Sequence, residues 1–170
     1  KYAVLGKDLA HAMGVAFQST DYSYDMIASQ AIRGNLHSAR GFRGIGSYAH
    51  TANGSPAWWR LVFSKPVTVA YLRVYGLPGY GRRLRNVTVR LLNGKNEVVQ
   101  EVVVKNPGCR EVFVVCFPTP VAEVNQCVLS KPFARSGGDE DALDLNAVQV
   151  FDHPSISVLK NKISSCPKSK

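Results

Sequence analysis

Between Ala57 and Val150 the chain is written almost wholly in short runs of valine, threonine, tyrosine and phenylalanine, closed off by glycine, proline and asparagine. Such runs suit a pleated, half-buried surface, and so many in succession confine the chain to a sheet-based fold. They cover 57–63, 67–75, 86–92, 97–105, 111–117 and 143–151, with breaks at Lys65-Pro66, 76–82, Asn93-Gly94, Asn106-Pro107-Gly108 and Gly137-Gly138. Residues Asn86 to Leu91 alternate polar and apolar, as a strand with one wet face must. Leu92-Asn93-Gly94-Lys95 is the strongest hairpin signal, because Asn-Gly takes positive φ at little cost. Upstream, Gly14 to Ser19 reads as a strand, and Met26 to Ile32 as a short helix that Asp25 caps and Gly34 ends. Residues 1–14 show no firm period, and 35–49 form a long glycine-bearing loop of the kind that carries function. The expectation is an all-β sandwich or barrel with one short helix.

At 170 residues the chain suits one domain, expected over 1–153, with a basic C-terminal tail over 154–170. A mean hydropathy of −0.08 and the lack of any apolar run near the roughly 20 residues of a membrane span point to a water-exposed globular fold. The sequence begins at Lys1 with neither Met nor an apolar leader, which suggests a mature product or a portion of a larger protein. The 21 Lys and Arg against 12 Asp and Glu give a net charge of +9, enough to attract phosphate, sulfate or anionic lipid. That charge is concentrated in the middle, at Arg73, Arg82, Arg83, Arg85, Arg90, Lys95, Lys105 and Arg110, and such runs are more often solvated faces than sites.

Cys109, Cys116, Cys127 and Cys166 lack zinc spacing, so disulfides of an oxidising compartment are the better account than four buried thiols of a reducing one. Three pairings are open, of which Cys109–Cys116 as a local clasp and Cys127–Cys166 as a staple for the tail are favoured. Two sequons, at Asn53 and Asn86, offer glycan acceptors, and Pro56 after the first makes Asn86 the better one. No nucleophile elbow, phosphate loop, His-Glu-x-x-His or calcium-loop motif occurs, and His11, His37, His50 and His153 are scattered. A binding module rather than an enzyme is expected, with no cofactor and no nucleic-acid partner. Asp139, Glu140 and Asp141 beside Gly137-Gly138 read as an exposed loop rather than a cation site.

In order along the chain, Gly14 to Ser19, Gln30 to Asn35, Ser47-Tyr48-Ala49-His50, Pro56 to Leu61 with its Trp-Trp-Arg, Asn106 to Cys109 with Cys116, and Ala142 to Val150 resemble the landmarks of F-type lectins (fucolectins). The wider relatives are the discoidin-like galactose-binding domains, and the resemblance covers roughly 8–152. It implies a jelly-roll β-sandwich whose loops at one end bind a terminal fucose, and it supports the Cys109–Cys116 pairing. It also implies an extracellular setting, secreted or as an ectodomain, with glycans or glycoproteins of cell surfaces as partners. Oligomeric state is left open.

In that family one His and two Arg donate to the sugar's oxygens over an apolar patch. His50 falls on the histidine position and Arg83, allowing one deleted residue, on the second arginine. The first arginine position is Leu77, the acid two residues on is Gly79, and the family's cysteine pair is replaced by Tyr80-Gly81. Loss of one charged donor removes about 1.5–3 kcal/mol of hydrogen bonding, a serious share of a weak sugar affinity. Arg82, Arg85 or Arg73 are candidate replacements and Tyr80 a candidate platform. The family's calcium acids fall on Arg33 and Ala147, so no metal is expected, with the Arg33 guanidinium filling the vacated space and bonding loop carbonyls or Asp144. Two functions follow: a lectin-like module for fucosylated or anionic glycans with a degenerate fucose site, or a protein-interaction domain that keeps the scaffold alone. A lipid-binding role would require aromatic loop tips, and both tryptophans sit in a strand pattern.

Overall fold

The computed structural model describes residues 7–33, 48–53, 56–77, 79–105, 112–132 and 141–153. Its elements are a helix α1 (Leu9–Met13) and strands β1 (Gly14–Gln18), β2 (Ala49–His50), β3 (Trp58–Tyr75), β4 (Val87–Leu92), β5 (Val98–Val104), β6 (Val112–Ser130), β7 (Asp144–Leu145) and β8 (Ala147–Phe151). All pairings are antiparallel. The fold is a jelly-roll sandwich, as the sequence leads one to expect.

Its spine is the antiparallel ribbon of β3 and β6, which runs through both layers. At one end Trp58–Val62 pair with Ser130–Gln126, and this half is extended by β1 on one side and by β4 and β5 on the other. At the other end Tyr71–Tyr75 pair with Cys116–Val112, and β8 adds to β3. Between the halves the register slips repeatedly, from Val62 to Tyr71. There the residues turn outward: Ser64 to Pro66 and Pro118 to Pro120 are exposed, and Glu123 adopts φ 57°. Trp59, Leu61, Leu72, Val74, Phe113, Leu129, Val89 and Val148 share one apolar cluster, so the two halves fold over a single core. The alternation expected of β4 is realised as a strict buried, half-buried series.

Several expectations are corrected. In the ribbon β3 joins the separate runs 57–63 and 67–75, and β6 carries the run 111–117 on to Ser130, because the prolines sit at exposed bends where no ladder bond is lost. The short helix at 26–32 is a 3₁₀ turn over Ala28–Ile32 whose N-cap is Ile27, with no side-chain cap. Asp25 instead accepts from Ser23 Oγ through its carboxylate and from Gln30 Nε2 through its carbonyl. The α-helix lies earlier, at Leu9–Met13, where Asp8 caps it by accepting from Ala10 N. The Asn93-Gly94 hairpin forms, but positive φ falls on Asn96 at 63°, while Asn93 Oδ1 accepts from the N–H groups of Lys95 and Glu97.

The two described cysteines, Cys116 and Cys127, are free thiols rather than halves of disulfides. Cys127 is fully enclosed on β6 between Leu61 of β3 and Leu91 of β4, and burial pushes its thiol up to about 12. A staple from this position would have to pass through the core. Cys109, Cys166 and the tail 154–170 lie outside the described residues. Asp141 is buried at 2% exposure, not part of an exposed acidic loop; Asp139 and Glu140 lie outside the described residues.

Candidate functional site

The two-stranded rim of β2 and β7 sets the centre of the site. Its register puts His50 directly opposite Asp144, and cross-strand neighbours on one face meet. Thr51 extends the pairing, since its N–H donates to Leu143 O and its Oγ1 accepts from Leu143 N. On the other side β2 is tied to the loop after β1: His50 N donates to Met26 O, and His50 O accepts from Tyr22 N. The Gln18 amide at the end of β1 reaches the carbonyls of Met26 and His50 at 2.9 and 3.1 Å. The histidine therefore stands on a backbone fixed from both flanks.

Arg83 arrives from elsewhere in the sequence, on the 3₁₀ turn Gly81–Leu84. A three-residue period eclipses residues three apart, which sorts this basic stretch into two faces. Tyr80 and Arg83 turn inward, with the guanidinium 4.6 Å from the Tyr80 ring centre. Arg82 and Arg85 are exposed. Gly79, at φ 82°, supplies the left-handed residue that lets the chain enter this turn.

The three groups meet at Asp144, a carboxylate with no solvent exposure. Arg83 Nη1 donates to its Oδ2, and His50 Nε2 lies 2.9 Å from its Oδ1, off the line of a well-aligned hydrogen bond. His50 Nδ1 is buried and has no hydrogen-bond partner among the described residues. Tyr22 stacks on the imidazole at 4.4 Å between centroids, and Tyr48 tilts against it at 6.0 Å. Burial first, then the negative charge of Asp144, push the Tyr48 phenol above its usual value, with Arg83 acting in the opposite sense. Beneath the cluster the buried Lys131 Nζ donates to Arg83 O at 2.9 Å and Ala142 O at 3.4 Å. It ties the arginine turn to the segment leading into β7.

The structure thus brings His50, Arg83 and Tyr80 together and leaves Arg82 and Arg85 outside the cluster. Leu77 is buried at 5% exposure and adds no donor. Arg73 lies over Tyr71 and Phe151, at 5.6 and 5.8 Å from their ring centres, so it is no replacement donor. Arg33 is exposed, and the described partners of Asp144 are His50 and Arg83, which corrects the expected Arg33–Asp144 contact. Ala147 is buried and offers no side-chain oxygen, and no group of His, Cys, Asp and Glu that could hold a metal occurs among the described residues. Asn86 is exposed at φ 57° in the turn before β4. Sequence reasoning did not assign Asp144, Tyr22, Tyr48 or Lys131 to the site. An acid set between Leu143 and Leu145 in a strand pattern was the available signal for Asp144.

No protein-family model matches the sequence, and no curated protein is similar to it. Solved structures do match in shape. The lectin domain of lectinolysin complexed with Lewis B antigen superposes with a TM-score of 0.73 at 24% identity, over 89% of this chain and 100% of that one. A fucolectin from striped bass (Morone saxatilis) serum gives 0.67 at 23%, over 85% of this chain and 48% of that one. An F5/8 type C domain from Bacteroides fragilis gives 0.63 at 15%, over 88% and 97%. The class defined by the fold is that of discoidin-like β-sandwiches. Within it, the fold is shared with the F-type lectin domains.

Proposed function

We propose that the protein is a non-enzymatic carbohydrate-binding module, extracellular or part of an ectodomain, that takes a fucosylated glycan at the His50–Arg83 rim. The observation that carries this is the convergence of His50 and Arg83, from separate elements, on one buried carboxylate within a ring of Tyr22, Tyr48 and Tyr80. Planar donors beside aromatic faces are what a sugar requires, since it presents hydroxyls on its edges and C–H groups on its faces. The exposed Arg82 and Arg85 flank this seat and favour a glycan with anionic groups farther along. Asn86, exposed beside them, is a candidate glycan acceptor, and 154–170 is a tail appended to a domain over 1–153. The module works without calcium, so melting temperature is expected to be equal in calcium and in chelator.

A glycan array tests the function. Binding to Lewis-type fucosylated glycans, lost in His50→Ala and in Arg83→Ala, is the expected result; silence across all glycans would sink it. A second reading, a protein-interaction domain on the same scaffold, is favoured by one observation: His50 and Arg83 are only 5% and 8% exposed. On that reading the two substitutions alter stability and no glycan is retained by the unmodified protein.

A further inference from the structure

The rim contains an arginine, yet among the described residues its charge is matched by that of Asp144. Asp144 is fully buried, is locked opposite His50 by the β2–β7 register, and accepts from Arg83 Nη1. The nearby buried charges, Lys131 and Asp141, are again one of each sign. We propose that Asp144 is a specificity-determining residue: by neutralising Arg83 it makes the seat fit an uncharged sugar and rejects a carboxylate or sulfate there. This rests on the glycan-binding reading above and adds to it the class of sugar admitted.

The physical reason is that an anion set against Arg83 also faces Asp144. In a site shielded from solvent, the attraction of the first charge is offset by the repulsion of the second. An uncharged hydroxyl meets no such penalty and needs only directional partners. The backbone segments that carry the pair are also tied to each other. Lys131 Nζ holds the Arg83 carbonyl to that of Ala142, two residues before Asp144. The carboxylate also acts on Tyr48, where it adds to burial in pushing the phenol above its usual value. Arg82 and Arg85 stand outside this neutral seat and form no ion pair among the described residues. Long-range attraction of anions and recognition at the seat are therefore separate properties of neighbouring residues.

The test titrates the protein near neutral pH with L-fucose and, separately, with galactose 6-sulfate, following the His50 ring signals by NMR. In the unmodified protein fucose shifts these signals, and the sulfated sugar acts at least tenfold more weakly. In Asp144→Asn, which keeps the shape and removes the charge, the sulfated sugar gains at least tenfold while fucose changes less. Asp144→Ser provides a second variant, and dispersed methyl signals confirm that each is folded. An unmodified protein that takes the sulfated sugar at His50 as tightly as fucose overturns the proposal without any variant. So does a folded variant that gains nothing toward sulfate. If the unmodified protein answers to neither sugar but Asp144→Asn gains sulfate binding, the charge role stands and the glycan function falls.

Discussion

Two places in this molecule are equally buried and differ in what burial does to them. Around Trp59, Leu61 and Cys127 the interior is apolar, and stability comes from area removed from water. At His50, Asp144 and Arg83 the interior is charged, and each group is tolerable only because the others are there. The first kind of region loses stability in proportion to what is cut away. The second behaves as a unit, in which removing one member is worse than removing the pair.

The sharpest challenge to the first region is Trp59→Ala. It opens a cavity under a fully buried ring and strands the Ala28 carbonyl that its indole N–H reaches at 3.1 Å, so a loss of about 3–5 kcal/mol or slightly more is expected in urea unfolding. The matching challenge to the second is Asp144→Ala, which leaves the guanidinium buried without its carboxylate at a cost of about 3–5 kcal/mol. The double variant Arg83→Met/Asp144→Leu then discriminates between the regions. Its stability is expected to return to within about 1–2 kcal/mol of the unmodified protein, with glycan binding abolished. Additive losses in the double variant would erase the distinction. Gly14→Ala sharpens the apolar side by overpacking: the new Cβ would stand 2.3 Å from Leu61 Cδ1 and 2.6 Å from the Ala10 carbonyl oxygen, which backbone cannot vacate. A loss of about 1–3 kcal/mol by thermal melting is expected. The smallest effect belongs to an exposed ion pair. Arg90 and Glu101 meet at 2.6 Å with side chains 38% and 47% exposed, so Arg90→Ala is expected to change stability by less than about 1 kcal/mol.

The same contrast explains what the sequence made legible. Alternation is a local property, and it marked β4 well because that strand buries one face against its neighbours. The fold resemblance rested on similar local signals, above all the Trp58-Trp59-Arg60 strand. What was hidden depends on contacts between distant segments. Lys65-Pro66 looks like a break until β6 is seen carrying the chain past it, and Leu9–Met13 spans too few residues to show a period. His50 and Arg83 could be named from the resemblance, but the two-residue strand that sets Asp144 between them has no periodicity to read. The resemblance drew attention to the acid missing at Gly79, whereas the acid that matters comes from a different strand.

The continuous β3–β6 ribbon has a further consequence, for the way the molecule comes apart. In a sandwich of independent sheets the interface between them is a natural seam along which one leaf can peel from the other. Here β3 and β6 run as one pair through both leaves, so peeling either leaf tears the other. The slowest-exchanging amides are then expected to form one set spanning both ends of the ribbon and to exchange together, in a single global opening. The rim of β2 and β7, attached to this frame through short pairings, is then expected to keep its geometry until the whole body opens.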